Sequence, residues 1–212
     1  MTRADFLHCT PQRSPEMPLV APLPVNHDPE VTALAELYQE TLDFTPNSVL
    51  TMQRRPAIAQ AFIALNRAVM TNHGRVSNEL KRLVALIASS AQGCRYCQAH
   101  TALAASRYGA SRERLEALWR FRESELFDAA EKAALEFALA AASAPCAVDE
   151  RIAETLRQHW DDGEVVELLA VISLFGFLNR WNDAMGTTLE SAAAAHATDL
   201  LSANGWQAGK HA

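Results

Sequence analysis

The stretch Gly93-Cys94-Arg95-Tyr96-Cys97-Gln98-Ala99-His100-Thr101 places two thiols one helical turn apart and an imidazole one turn beyond the second thiol. Residues three apart on a helix share a face, so Cys94 can approach Cys97, and Cys97 can approach His100. Two close thiols can cycle between dithiol and disulfide, and a histidine can accept a proton from one of them. The stretch therefore indicates thiol redox chemistry on a helix.

Two effects favour different sulfurs as the reactive one. Gly93 allows the chain to turn into a helix, which puts both cysteines in or near its first turn, where free peptide N–H groups and the helix dipole favour a thiolate. Cys94 lies closer to that helix end. Cys97, however, is the cysteine one turn from His100, and this proximity predicts that Cys97 is the attacking sulfur.

Other interpretations of the same residues remain open. The cysteines could be a buried, inert pair. Cys94, Cys97 and His100 could instead supply three zinc ligands, but a closed structural site needs a fourth, for which the sequence offers only scattered single candidates: Cys9, His73 and Cys146. A thioredoxin fold is disfavoured because the pattern predicts no strands around the cysteine pair.

Composition narrows the function classes. With 25 acidic and 19 basic residues the net charge is -6, and no basic stripe is present to neutralise phosphates, which disfavours nucleic acid as a partner. The N-terminus has no continuous apolar segment typical of a secretory signal, and no charge-free apolar run is long enough to span a bilayer. We therefore expect no membrane association and a cytoplasmic location, where a close cysteine pair is more often catalytic or metal-binding than a structural disulfide.

The chain divides into an arm, a helical domain and a tail. Six of the nine prolines fall in the first 29 residues, so residues 1–28 are predicted to be an extended arm. Residues 29–200 are rich in alanine, poor in glycine and lack strand-like alternation, which predicts one all-α domain of about eight to ten helices. Residues 201–212 are predicted to be a tail, with His211 exposed. Helix starts are expected at Pro29, Pro56, Ser77 or Asn78, Ser111, Asp128, Asp149 and Asp161.

A faint internal repeat relates residues 79–87 to residues 164–172. In that register Cys94 corresponds to Asn179, and Cys97 corresponds to Asn182. A duplicated helical unit that keeps its chemistry in one copy would explain the similarity. Chance resemblance between two amphipathic helices would explain it equally well.

The segment from Asn78 to Gly109 resembles the core of the alkylhydroperoxidase D (AhpD)-like, carboxymuconolactone decarboxylase superfamily. The specific part is the amphipathic helix that ends in Gln92-Gly93-Cys94-Arg95-Tyr96-Cys97, followed by His100-Thr101. Residues 44–50 with Pro56, residues 179–183, and the C-terminal Gly205-Trp206 and Gly209-Lys210-His211 are also similar to the peroxidase-related branch. The resemblance covers most of the chain after residue 30.

The resemblance implies an all-helical, homo-oligomeric thiol peroxidase without a bound cofactor. In the family the second cysteine, here Cys97, attacks the hydroperoxide and becomes a sulfenic acid. The first, here Cys94, resolves it to a disulfide, which a separate dithiol reductant, a lipoylated protein in the best-known members, then reduces. A histidine and a glutamate relay the proton.

The sequence departs from the family pattern at both relay positions. The family histidine is commonly four residues beyond the second cysteine, where this chain has Thr101, and His100 is one residue earlier. The family glutamate position holds Arg82. Glu79, one turn upstream, could substitute or could pair with Arg82 on a solvated face. Glu167, the repeat-equivalent residue, could reach the site from the second half or could be an ordinary surface carboxylate.

The leading hypothesis is therefore a thiol-dependent peroxidase with the candidate catalytic residues Cys97, Cys94, His100, Glu79 and Glu167. A decarboxylase acting on a lactone, as in the other branch of the superfamily, is disfavoured because it does not need a redox cysteine pair. A non-enzymatic, redox-sensing helical oligomer is the third hypothesis. In the expected homo-oligomer, the arm from about Arg3 to Pro24 would lie on a neighbouring subunit.

Overall fold

The computed structural model describes residues 18–212, and within this range the chain is built from α-helices, short 3₁₀ turns and connecting loops without any strand. This confirms the predicted all-α class. Cys9 and most of the predicted arm lie outside the described residues. The α-helices are α1 Pro29–Leu42, α2 Asn47–Met52, α3 Pro56–Met70, α4 Asn78–Ala91, α5 Arg95–Arg107, α6 Arg112–Ala117, α7 Ala129–Ala142, α8 Glu150–His159, α9 Asp162–Met185 and α10 Ser191–Leu201.

Side-chain caps start the helices where the sequence predicted them. Asp28 accepts a hydrogen bond from the Val31 N–H (2.9 Å), and Ser77 accepts one from the Leu80 N–H (3.1 Å). Asp128 and Asp161 each form a capping box with the glutamate three residues later. Each such cap satisfies an N–H that the helix itself leaves unpaired. Helices α2 and α10 were not predicted. Helix α2 is hard to predict because it is only six residues long and directly follows the proline-containing break at residues 44–47.

Helix α4 lies at the centre of the fold and packs against α5, α7 and α9. Its residues from Leu80 to Ser89 are all buried, including Lys81, whose exposed fraction is 0%. The Lys81 ammonium donates to the Val69 carbonyl (2.7 Å) and the Thr71 carbonyl and pairs with the Glu167 carboxylate on α9. A buried charge is tolerated only when its donors are satisfied in this way. Helix α4 thus supplies buried residues at the centre of the fold and is linked to α9 by the ion pair between Lys81 and Glu167.

The C-terminal residues cover the start of α5. The Trp206 indole donates to the Arg95 carbonyl (3.2 Å), and the Leu189 N–H donates to the His211 carbonyl (2.8 Å). The expectation that His211 is exposed is wrong: its exposed fraction is 1%. Its Nδ1 bonds to the Thr187 carbonyl (2.8 Å), a tertiary contact that gives no local sequence signal.

The described end of the arm packs on its own chain. The Leu19 N–H donates to the Met185 carbonyl (2.9 Å), the Leu23 N–H donates to the Leu50 carbonyl (3.2 Å), and the Arg54 side chain donates to the Ala21 carbonyl (3.0 Å). None of the helices within residues 18–212 has the length and apolarity needed to cross a bilayer.

Candidate active site

The two cysteines of the motif meet at the start of α5. Cys94 is the N-cap of that helix, and its Sγ accepts a hydrogen bond from the Cys97 N–H (3.4 Å). Gly93, with φ 76°, supplies the left-handed turn that leads into the cap, a conformation that a side chain would strain. Both thiols are free and buried. The structure therefore brings Cys94 and Cys97 together as expected.

Different physical causes act on the two sulfurs. A hydrogen bond from the Cys97 thiol, supported by peptide N–H groups, lowers the pKa of Cys94 despite its burial. Burial raises the pKa of Cys97 well above its ordinary value, and a hydrogen bond from the Asn182 amide (3.4 Å) opposes that rise only in part. The two shifts thus favour the thiolate form of Cys94, the sulfur nearer the helix end, over that of Cys97.

His100 is held on both sides. Its Nδ1 lies 3.0 Å from the Tyr96 carbonyl, and its Nε2 lies 2.8 Å from Oε2 of Glu190. The Tyr96 carbonyl and the Glu190 carboxylate are both hydrogen-bond acceptors, so each ring nitrogen of His100 faces an acceptor. The Tyr96 ring stacks on it with centroids 4.1 Å apart. In this arrangement both ring nitrogens of His100 are directed at Tyr96 and Glu190 rather than at the Cys97 sulfur.

Glu190 completes the polar cluster. Its Oε1 accepts hydrogen bonds from the Tyr96 hydroxyl (2.9 Å) and the Asn47 N–H, while its Oε2 faces His100. Burial alone would raise the pKa of Glu190, but the His100 charge and these hydrogen bonds lower it below its usual range. Sequence reasoning missed Glu190, because the residue before an alanine-rich helix looks like an ordinary N-terminal carboxylate.

The two glutamates predicted as relay residues lie elsewhere. Glu79 pairs with Arg114 of α6 at 2.9 Å rather than with Arg82, and Arg114 also binds Glu131 of α7. Glu167 neutralises Lys81. Neither glutamate lines the cavity described below. Each is bound to a cation that ties two helices together, so the sequence-based assignment of a relay role to them has no support in the geometry.

Asn182 is the second residue of the site that the sequence did not assign. It lies on α9 and donates to the Cys97 Sγ, and its own Oδ1 accepts from the Thr187 hydroxyl (2.8 Å). In the register of the faint repeat, Asn182 is the residue equivalent to Cys97. That correspondence was the available signal, although it did not indicate a contact between the two positions.

A largely apolar cavity of about 90 Å³ opens onto Cys97. The face of α5 that carries Cys97, His100, Thr101 and Ala104 forms one wall. Cys94 is absent from the lining. The remaining walls come from α1, α2, α3, α4 and α9, through Tyr38, Thr41, Leu42, Pro46, Ser48, Val49, Phe62, Asn66, Met70, Arg82, Phe175, Leu178 and Asn182, together with Tyr96. Of the two cysteines, a ligand in the cavity would therefore contact Cys97 rather than Cys94.

Within residues 18–212, no three histidine, cysteine or acidic side chains are grouped so as to hold a metal ion. Both nitrogens of His100 are already engaged by Tyr96 and Glu190.

Sequence comparison identifies a family match in the middle of the chain. Residues 56–140 match the carboxymuconolactone decarboxylase family. The uncharacterized protein YnjA of Escherichia coli (strain K12) is 35% identical over 92 residues, which cover 43% of this chain and 50% of that protein. The chain thus spans about half the length of this curated relative.

Structural comparison extends the match over most of the chain. The debrominase Bmp8 is 34% identical, with 86% of this chain and 97% of that chain covered and a TM-score of 0.79. A second Bmp8 structure, a cysteine-to-alanine variant in complex with 2,3,4-tribromopyrrole, is 33% identical with the same coverage and a TM-score of 0.80. An uncharacterized peroxidase-related protein with an AhpD core from Ralstonia eutropha JMP134 is 23% identical, covers 82% of this chain and 94% of its own, and has a TM-score of 0.71.

At 23% identity the Ralstonia protein shows a shared fold alone, whereas the Bmp8 match combines sequence and structure over nearly the whole of that chain. The motif that carried the resemblance in the sequence lies within the matched family region. We conclude that the chain belongs to the AhpD-like, carboxymuconolactone decarboxylase superfamily.

Proposed function

We propose that the protein is a thiol-dependent oxidoreductase that reduces a small apolar substrate by two electrons and converts Cys94 and Cys97 to a disulfide. The observation that carries this proposal is the asymmetry of the pair: Cys97 lines the cavity, while Cys94 lies behind it with its sulfur at the helix N-terminus. One sulfur can meet substrate, and the other is one helical turn away to complete the bond.

Proton transfer within the pair activates Cys97. The Cys97 thiol donates to the Cys94 sulfur, so the proton can pass to Cys94 and leave a thiolate that faces the cavity. Cys94 thus acts as the base that sequence reasoning assigned to His100. His100, held by Glu190, lines the same cavity wall and, when protonated, places a positive charge that would stabilise an anionic leaving group there.

With a hydroperoxide, the electrons balance as follows. The Cys97 thiolate attacks the terminal oxygen, the O–O bond breaks, and the departing alkoxide takes a proton to become an alcohol. Cys94 then attacks the sulfur of the Cys97 sulfenic acid, and hydroxide leaves as water. Hydroperoxide and two thiols give alcohol, water and a disulfide, which an external dithiol must reduce. Peroxidase activity of this kind is our first candidate.

Reductive dehalogenation is the second candidate, favoured by the apolar lining of the cavity and by the similarity to Bmp8. Here Cys97 attacks the halogen of a halogenated aromatic ring, the ring carbon takes a proton, and Cys94 displaces halide from the Cys97 sulfur. The products are the dehalogenated ring, a hydrogen halide and the same disulfide. A lactone decarboxylase has less support, since its chemistry would leave the dithiol unused.

Thiol counting and peptide mapping test the core of the proposal. One equivalent of cumene hydroperoxide should remove two titratable thiols, and tryptic mapping should join Cys94 to Cys97. Cys97→Ser should abolish the reaction, whereas Cys94→Ser, which removes the base as well as the resolving sulfur, should react once and more slowly than wild type and leave a sulfenic acid that dimedone traps. Cys146→Ser is the matched control, because Cys146 is exposed and distant in sequence, and it should behave as wild type.

Turnover separates the competing functions. With excess dithiothreitol, repeated consumption of cumene hydroperoxide supports the peroxidase, and halide release from a tribromopyrrole supports the dehalogenase. Oxidation that stops after one equivalent despite the reductant would support the redox-sensing alternative. Loss of the first reaction in Cys94→Ser, with its retention in Cys97→Ser, would overturn the assignment of the attacking sulfur.

A further inference from the structure

The cavity extends along α5 away from the dithiol. Cys97, His100, Thr101 and Ala104 lie on one face of the helix, and a rise of about 1.5 Å per residue places Ala104 about 10 Å beyond Cys97. Arg82 lines the same cavity, and its guanidinium stacks 3.9 Å from the ring centroid of Tyr108, the residue that ends α5. Arg82 therefore lies at the end of α5 opposite to the cysteine pair.

Arg82 is a buried cation that lacks a carboxylate partner within residues 18–212. Its exposed fraction is 6%, and its hydrogen bonds run from Nη1 to the Asn78 carbonyl (3.1 Å), the Asn78 side chain (3.3 Å) and the Met70 carbonyl (3.4 Å). The adjacent Lys81, also buried, has a carboxylate partner. A buried charge without a counter-ion is costly, which makes such a residue a natural site for an anion.

The Tyr38 hydroxyl is a second, independent donor on this cavity. Tyr38 is 6% exposed, lines the cavity from α1, and its hydroxyl has no hydrogen-bond partner in the described part of the chain. Burial raises the pKa of Tyr38, so the hydroxyl keeps its proton and can donate it. An orphaned buried hydroxyl is destabilising unless a ligand accepts from it.

Arg82 is also accessible from outside the cavity. Together with Thr41 and Met70 it lines both the inner cavity and an outer pocket of about 450 Å³. The outer pocket carries two exposed carboxylates, Glu36 and Glu40, and the exposed Arg67. A ligand entering here would pass Arg82 before it reached the apolar interior.

We infer that Arg82 and Tyr38 bind the carboxylate of a small apolar acid whose reactive atom then lies at Cys97. The guanidinium offers paired N–H donors that match a carboxylate, and the Tyr38 hydroxyl adds a third donor. A cavity of about 90 Å³ limits the apolar part to no more than one ring or a short chain. This inference rests on the proposed function for the reaction, and it adds the substrate class.

Binding measurements without turnover test the inference. Titration calorimetry of the reduced protein with phenylacetate and 3-phenylpropionate is compared with titration by their neutral counterparts, 2-phenylethanol and 3-phenyl-1-propanol. A charge-assisted hydrogen bond predicts that the acids bind about tenfold or more tightly than the alcohols. The acids should also protect Cys97 from alkylation by iodoacetamide.

Three variants assign the preference to residues. Arg82→Gln should abolish the preference for the acid, and Tyr38→Phe, which removes only the orphaned hydroxyl, should weaken acid binding by about two- to tenfold. Arg151→Gln removes an exposed positive charge on α8, away from both pockets, and should retain the preference. If Arg82→Gln does not fold, Tyr38→Phe decides the outcome by itself.

Equal binding of acids and alcohols to the wild type would overturn the inference, as would a preference that survives in folded Arg82→Gln or an unchanged affinity in Tyr38→Phe. Failure of peroxide or halide turnover would bear on the proposed function only, because these measurements require neither reaction.

Discussion

Replacing Glu190 by glutamine should destabilise the protein through one defined contact. The amide oxygen can still accept from the Tyr96 hydroxyl and the Asn47 N–H, so only the interaction with His100 changes. In the wild type His100 Nε2 and Glu190 Oε2 are 2.8 Å apart, and the side chains are 11% and 13% exposed. Glu190→Gln puts a neutral NH₂ donor against the imidazole and removes the carboxylate charge from the contact.

The expected loss of stability in Glu190→Gln follows from the distance between Glu190 and His100 and from the burial of both side chains. At an effective dielectric constant of about 20, unit charges 2.8 Å apart attract by about 6 kcal/mol, which is an upper bound. The cost of desolvating both groups offsets much of it, and hydrogen bonds to charged groups contribute about 1.5–3 kcal/mol net. For a chain of this size, that loss lowers Tm by about 3–12 °C.

The loss of stability in Glu190→Gln should also depend on pH, and it should become smaller at acidic pH. The pKa of Glu190 is lowered from 4.5 in the folded protein. A lowered pKa contributes stability that is present above 4.5 and is lost as pH falls through the folded value. The difference in free energy of unfolding between wild type and Glu190→Gln should therefore be full at neutral pH and shrink below 4.5.

Urea unfolding at constant protein concentration, at about pH 7 and at several values below 4.5, measures this difference. Glu154→Gln is the matched control, because Glu154 is an exposed α8 carboxylate that forms no ion pair within residues 18–212. Equal stability of wild type and Glu190→Gln at pH 7, or a difference that does not change on acidification, would refute a stabilising contact between the Glu190 carboxylate and His100.

Three further outcomes are expected. Glu167→Ala should destabilise the protein by about 3–5 kcal/mol in urea unfolding, because it leaves Lys81 as an uncompensated buried charge; a loss below about 1 kcal/mol would contradict this. Asn182→Ala removes a hydrogen bond that lowers the Cys97 pKa, so the pH profile of Cys97 alkylation should move to higher pH, and an unchanged profile would argue against the contact. Val166, 67% exposed on the outer face of α9, should lie in the interface of a homo-oligomer, so Val166→Glu should lower the mass measured by light scattering unless the wild type is itself a monomer.

Features that depend on neighbouring residues were predictable. Caps such as Asp28, Asp128 and Asp161 act on N–H groups two or three residues away, and the helix starts follow from them. The contact of Cys94 with Cys97 depends only on helical spacing and on the turn at Gly93, so the sequence was sufficient to place it. The family followed from the same short motif.

The partners of these residues were not predictable in the same way. Sequence spacing suggested Glu79 and Glu167 as carboxylates for the relay. In the folded chain Glu79 pairs with Arg114 and Glu167 pairs with Lys81, and the carboxylate that contacts His100 is Glu190.

The sequence by itself determined the helical class, the family and the dithiol, because each depends on residues within one or two turns of a helix. Tertiary packing alone decided that Glu190 contacts His100, that Cys97 faces the cavity, and that Arg82 is buried along its wall. These properties arise when α1, α4, α5, α9 and the C-terminal segment exclude water from a shared space, and charge and burial in that space depend on residues far apart in the chain.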